Sequence, residues 1–264
     1  MIYLWCGIDL GSRNVKVALM NDEGKISFYI FDTIKFYREQ GKLTQGKLQV
    51  NLDKLLKVSH INNVVATGYG RQTIDLANAL NIPEIKAHVT GAIYATGLEN
   101  FTLLDLGGQD SKVALVRGGR MVDFQTNDKC AASTGRYLEN MAGVLDMTLF
   151  ELSKHHADPV NLTSTCAIFG ESELIGRIVE GYAPNSLAAG VNHSIFKRIR
   201  PMLQQLLSPV IVFTGGVAAS VALKEIIGNE LEVKVVVPPM HQYTGAIGCS
   251  VIAQANFLKK RNDL

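Results

Sequence analysis

The sequence predicts an α/β fold of two duplicated lobes, and three observations predict it. First, Gly7-Ile8-Asp9-Leu10-Gly11-Ser12 running into Val15-Lys16-Val17-Ala18 reads as strand, tight turn and second strand. Second, the pattern returns at Leu104-Asp105-Leu106-Gly107-Gly108 running into Lys112-Val113-Ala114-Leu115. Asp9 and Asp105 are 96 residues apart, as are Lys16 and Lys112, with no gap needed, which marks an internal duplication. Third, Val210-Ile211-Val212-Phe213-Thr214-Gly215-Gly216 reads as a buried strand entering a glycine turn ahead of a helix. The expected lobes cover 1–90, joined by a C-terminal helix at 246–264, and 91–245.

Composition narrows the class. A chain of 264 residues suits one large domain or two compact lobes, with enough length for a sizeable core. With 47% hydrophobic and 19% charged residues it is neither disordered nor a membrane bundle. A net charge of +2 offers no footprint for nucleic acid or an anionic membrane surface. No apolar span reaches 18 residues, and the apolar opening 1–6 lacks a basic leader, so neither a membrane helix nor a signal peptide is expected. The four cysteines lie far apart and do not suggest a disulfide framework; a reducing cytoplasm is the expected setting. Cys6, in the first strand, and Cys249, in the last helix, read as core.

Along the chain, Asn21-Asp22-Glu23-Gly24 turns into a third strand, and 40–47 reads as a surface loop. Asn51 opens a short helix, and Val64-Val65-Ala66-Thr67 is a buried strand entering Gly68-Tyr69-Gly70. Residues 74–80 read as helical, and Pro83-Glu84-Ile85 as the approach to a short strand. A helix over 88–96, with small residues at Gly91, Ala92 and Ala95, is expected to pack closely and to cross between the lobes. His88 on it reads equally as a phosphate contact or a structural histidine. Farther on, Asn185 or Ser186 caps a long helix through Arg200 that Pro201 ends or kinks. A helix over 220–227, a strand over 233–238 and a last helix opening at Gln242-Tyr243-Thr244-Gly245 complete the series.

Two kinds of chemistry stand out. The hairpin tips suit phosphate: Gly11, Gly107 and Gly108 let backbone N–H groups approach an anion, and Ser12 adds a donor. Lys16 or Lys112 supplies charge if it points inward, and Asp9 and Asp105 suit magnesium, directly or through water. One such turn alone is only a hairpin; two in matched register favour phosphate binding between two lobes. The second kind is thiolate chemistry. Cys130 precedes the stripe Tyr137, Leu138, Met141, Val144, Leu145, with Ser133 or Thr134 as N-cap. Cys166 precedes a helix with Glu171 and Glu173 in its first turn and Gly181 beyond its end. A thiol at a helix start is biased toward thiolate. Two such cysteines make half of a four-cysteine iron–sulfur site, which a two-fold pair of chains would complete. The competing reading is that both are small, buried and inert.

The hairpins and Phe213-Thr214-Gly215-Gly216 resemble the actin, sugar kinase and Hsp70 ATPase superfamily. The cysteine segments Asn127-Asp128-Lys129-Cys130-Ala131-Ala132 and Cys166 with Glu171-Ser172-Glu173 narrow the resemblance to activator components of 2-hydroxyacyl-CoA dehydratases, and Thr67-Gly68-Tyr69-Gly70-Arg71 and Gln242-Tyr243 belong to the same resemblance. It covers nearly the whole chain. It implies two actin-like, ribonuclease H-like lobes with a nucleotide cleft between them. It also implies a homodimer with one 4Fe–4S cluster bridging Cys130 and Cys166 of each chain, and ATP hydrolysis to ADP coupled to one-electron transfer to a dehydratase-type iron–sulfur acceptor. Ferredoxin or flavodoxin is the implied reductant. The assigned roles are Mg2+ positioning for Asp9 and Asp105, and β- and γ-phosphate binding for Ser12, Lys16, Gly107 and Gly108, with Arg13, Asn14 and Lys112 beside them. Gln109 orients the attacking water, Gly215, Gly216 and Gln242 line the adenosine, and Gly135 approaches the nucleotide. Ser133 departs from the glycine usual in the family. The rival readings are an amino-sugar type kinase, with Asp110 as its base, and a non-catalytic nucleotide-binding protein.

Overall fold

A computed structural model describes residues 3–44, 47–72, 74–76, 79–127, 134–164 and 166–262. The chain forms two compact units, Met1–Leu98 with Tyr243–Leu264, and Glu99–Gln242. The first contains β1 (Leu4–Leu10), β2 (Asn14–Asn21), β3 (Ile26–Asp32), α1 (Thr33–Glu39), β4 (Gly41–Thr44), β5 (Lys47–Val50) and α2 (Leu52–Leu56). It continues through β6 (Asn63–Thr67), β7 (Ile74–Leu76), β8 (Leu80–Asn81) and α3 (Glu84–Thr96). The second contains β9 (Phe101–Leu106), β10 (Ser111–Arg117), β11 (Arg120–Asn127), α4 (Gly135–Val144), α5 (Leu149–Leu152), α6 (Ala167–Val179), α7 (Pro184–Gln205), β12 (Val210–Thr214), α8 (Val221–Leu231) and β13 (Lys234–Val236). The last helix, α9 (Thr244–Asn262), belongs to the first unit.

The main sheets share one plan, ordered β3-β2-β1-β6-β8 and β11-β10-β9-β12-β13. Asp9 pairs with Lys16 across the first hairpin, and Asp105 with Lys112 across the second. On the parallel side Asp9 lies beside Thr67, and Asp105 beside Thr214. The glycine after each threonine takes a left-handed conformation, φ +98 at Gly68 and +89 at Gly215. A Cβ there would meet the backbone of Leu10 or Leu106. The duplication therefore includes these Thr-Gly pairs.

Strand alternation distributes the first core. Cys6, Ile8 and Leu10 face Phe36, Leu52 and Leu56 on one side of the sheet. Trp5 faces the other side with Met20, Ala87, Cys249 and Ala253, and Gly7 and Asp9 share that side. Gly7 lets α9 lie on the strand, because a Cβ would fall 2.0 Å from the Ala246 carbonyl oxygen. In the second unit, Leu104, Leu106 and Val113 pack with Tyr137, Leu138 and Met141 of α4 and Leu187, Val191 and Ile195 of α7.

Several local expectations fail where pairing overrides local sequence. The loop expected at 40–47 contains β4 and the start of β5, an antiparallel pair, and β5 also pairs parallel with β7. Val50 and Leu76 are buried through that arrangement. The helix expected at 74–80 is instead β7 and β8, since β5 and β6 supply partners that outweigh the helix preference of Leu and Ala. No strand follows Pro83; it is the N-cap of α3, with Glu84 in the first turn. Ala183 rather than Asn185 or Ser186 is the N-cap of α7, with Pro184 preset for helix at its first position. The same helix runs through Pro201 to Gln205, held by its buried face of Ile195, Phe196, Ile199 and Leu203. Because α6 begins at Ala167, Glu171 and Glu173 fall beyond its first turn.

Candidate nucleotide and thiolate sites

Asp9 is buried at the end of β1, on the side facing α9. Lys16, its cross-strand partner, places Nζ 3.8 Å from Oδ2. The first turn of α9 comes close because Gly245 has no side chain: a Cβ there would lie 3.1 Å from Asp9 Oδ2 and 2.9 Å from His88 Nε2. His88 is buried on α3. At the tip, the Gly11 carbonyl accepts the Thr33 hydroxyl at 2.8 Å, and Ser12 and Asn14 are half-buried while Arg13 is exposed. The result is a carboxylate, an ammonium and a helix N-terminus beside the turn at 11–14, a set suited to a phosphate–magnesium unit.

The second hairpin has the same frame. Asp105 is buried and accepts the Thr214 hydroxyl at 2.7 Å. Lys112 forms an ion pair with Asp110. Gly107 donates to the Asp110 carbonyl at 3.0 Å, and a Cβ on Gly107 would fall 2.6 Å from Asp110 Oδ1. The first N–H groups of α4 hold this tip, Gly135 to Gly107 O at 2.9 Å and Arg136 to Gly108 O at 3.2 Å. Gln109 is exposed beside them. Gly215 donates to the His241 carbonyl at 3.1 Å, next to half-buried Gln242, and Gly216 is exposed.

Cys166 is the N-cap residue of α6 and is half-buried. Hydrogen bonds from the Phe169 and Ile168 N–H groups hold its thiol below the ordinary range, with the Arg198 charge adding to them. Burial instead pushes Cys6 up to about 12 and Cys249 well above the usual thiol value, so these two are core. Cys130 and Ser133 lie outside the described residues. Thr134 is the N-cap residue of α4, without a side-chain cap bond.

Residues 6–253 match the family model of the BadF/BadG/BcrA/BcrD ATPases. The chain belongs to that family. It is 34% identical over 258 residues to the 2-hydroxyisocaproyl-CoA dehydratase activator of Clostridioides difficile, covering 94% of this chain and 93% of the relative. Among solved structures it is similar to the activator of the 2-hydroxyisocaproyl-CoA dehydratase from Clostridium difficile with bound ADPNP, with a TM-score of 0.85 and 29% identity, covering 99% and 98% of the two chains. A ROK family glucokinase from Streptomyces griseus shares the fold alone, with a TM-score of 0.57 and 11% identity over 96% and 99% of the chains. The expected actin- and sugar-kinase-like α/β class is borne out.

Within this BadF/BadG/BcrA/BcrD-type ATPase, the first unit brings together Asp9, Lys16 and the 11–14 turn, and the second brings together Asp105, Gly107, Gly108, Gly135 and Gly215. Among the described residues no three His, Cys, Asp or Glu side chains converge on a metal position. No helix among them is long and apolar enough to cross a membrane. The sequence reading passed over Thr214 as a partner of Asp105, although the Thr-Gly of 67–68 repeats at 214–215 and marks it. It also passed over Arg198, for which no local pattern existed.

Proposed function

We propose that this chain is an ATP-hydrolysing one-electron donor that activates a 2-hydroxyacyl-CoA dehydratase-type partner. The observation that carries the reading is Cys166, a thiol made thiolate-prone by α6 N–H groups, in a chain whose duplicated hairpins each end in a buried aspartate. The named relative and the ADPNP-bound neighbour support it. Asp9 and Asp105 would hold Mg2+, for which carboxylate oxygen is the fitting ligand type. The turn at 11–14 with Lys16, and the tip at 107–108, bind the phosphates, Arg13, Asn14 and Lys112 lying beside them. Gln109 orients the attacking water, Gly215, Gly216 and Gln242 line the adenosine, and Gly135 closes on the nucleotide from α4.

Cys166 and Cys130 would hold a 4Fe–4S cluster shared by two copies of the chain. The donor chemistry fits, since Cys166 combines a lowered pKa with partial exposure, and a single Cys166 per chain requires ligands from elsewhere. Such a cluster supplies a one-electron couple when bound. The helix N-terminus at Cys166 favours the more negative, reduced form. Ile168 and Phe169, 74% and 69% exposed in the single chain, give the two-fold partner an apolar surface beside the cysteine. Ferredoxin or flavodoxin fits as the reductant. The kinase reading requires Asp110 as a free base, but that carboxylate is engaged by Lys112.

Purification without oxygen tests the reading. The expected product is brown, with about two irons per chain, and dithionite bleaches it. It hydrolyses ATP, and Cys166→Ser loses the iron while still binding ADP. A colourless, iron-free protein whose ATP turnover depends on an added sugar would overturn it.

A further inference from the structure

Residues 163–164, ahead of Cys166, are gripped from both sides by charged groups that the proposed activity does not use. Glu173 reaches back along α6. Its carboxylate accepts the Thr163 N–H at 2.9 and 3.0 Å, the Ser164 N–H at 2.9 Å and the Thr163 hydroxyl at 3.0 Å. Burial acts to raise its pKa, but the bonds from Ser164 and Thr163 outweigh it and hold it at about 2. From the other side, the Arg198 guanidinium on α7 donates to the Ser164 carbonyl at 2.6 Å. So the N–H of Ser164 is bound by an anion on α6, and its C=O by a cation on α7.

Arg198 is itself held in one pose. It donates to the Ser194 hydroxyl at 3.1 Å and stacks 4.6 Å over the Tyr137 ring. Tyr137 is buried on α4 and shares a 2.9 Å hydrogen bond with the same Ser194 hydroxyl. A flat, forked cation suits this place, because it can stack on a ring while two nitrogens donate in fixed directions. Neither charge is needed to fill a core, and both act on backbone two residues before a thiol.

We propose that Arg198 and Glu173 are positioning residues for Cys166: they clamp the two faces of the Ser164 peptide segment, so that the sulfur stands at the start of α6 with a fixed positive charge beside it. The clamp belongs to the chain itself. Its consequence for a metal centre rests on the proposed reading of Cys166 as a ligand.

Two measurements test it. In the metal-free chain, hydrogen exchange reads the clamp directly. Glu173→Gln and Arg198→Met should speed exchange of the 163–164 amides by about tenfold or more, while the amides of β9 and β12 keep their protection. In the anaerobically reconstituted protein, Arg198→Met should move the midpoint potential to more negative values and alter the electron paramagnetic resonance spectrum of the reduced state. Arg198→Lys should restore the potential in part, since it keeps the charge but not the fork. If Arg198→Met does not fold, Arg198→Lys and Glu173→Gln carry the test. Unchanged exchange at 163–164 in Glu173→Gln would overturn the clamp. Altered exchange with an unchanged potential and spectrum would overturn the role toward the sulfur. A wild-type chain that takes up no iron would instead sink the proposed function, and the exchange arm would still decide on the clamp.

Discussion

Gly248→Ala sets two effects of opposite sign against each other. In a helix interior, replacing glycine by alanine ordinarily stabilises by about 1 kcal/mol, because the backbone has less freedom to lose. At Gly248 a Cβ would fall 1.8 Å from the Ala87 carbonyl oxygen, 2.8 Å from the Ala87 carbonyl carbon and 2.8 Å from the Gly91 nitrogen. All three are backbone atoms of α3, so no rotamer change relieves the clash, and the two helices must part by about 1.5 Å. Overpacking of this kind costs about 1–3 kcal/mol, and backbone obstacles push it to the upper end or beyond. Propensity returns about 1 kcal/mol, so the net loss is about 2 kcal/mol or more. At about 2–4 °C per kcal/mol, the unfolding transition of the first unit should fall by about 4–8 °C or more. Gly143→Ala in α4 meets nothing within 4 Å and should leave stability unchanged or raise it by about 0.5 kcal/mol. Scanning calorimetry of both variants gives the answer. A Gly248→Ala chain at least as stable as wild type would refute the close α3–α9 crossing.

Gly245→Ala should act on ligand binding more than on folding, because its Cβ presses on Asp9 and His88 side chains that can shift; ADP affinity measured with and without magnesium should drop about tenfold, with a smaller change in melting. Thr214→Val removes the hydroxyl that Asp105 accepts and should cost about 1.5–3 kcal/mol in urea unfolding of the second unit. Glu173 is held at about 2, below its ordinary 4.5, so its contribution is complete above about 4.5 and disappears as pH falls toward 2. Acid titration of stability should therefore be shallower in Glu173→Gln, and an identical acid profile would contradict the bonds to 163–164. Cys6→Ser should leave iron binding intact while lowering stability by about 1–3 kcal/mol, since it buries a hydroxyl in a fully enclosed core.

Part of the site was legible because it is written in neighbouring residues. Asp-x-Gly and the lysine that follows it are joined by one hairpin, so strand alternation and the turn place Asp9 opposite Lys16 and Asp105 opposite Lys112. The apolar settings of Cys6 and Cys249 are local too, and so is the position of Cys166 just ahead of its helix. What could not be read was the partner of each charge. Lys112 lies in the same motif position as Lys16 and forms an ion pair with Asp110, whose counterpart 96 residues earlier is Asn14, so the duplicated motif does not mark that pairing.

The sequence by itself determined the two-fold repetition, the α/β class and the residue types at the hairpin tips and helix starts, because periodicity and turn chemistry act over a few residues. Only the tertiary structure decided which short segments became strands at 41–44, 47–50, 74–76 and 80–81, why α9 needs glycine at 245 and 248, and how Arg198 and Glu173 grip Ser164. These depend on groups brought together from distant parts of the chain, where the space left by one backbone, or the carbonyl it presents, selects the partner. Local propensity has no access to that information.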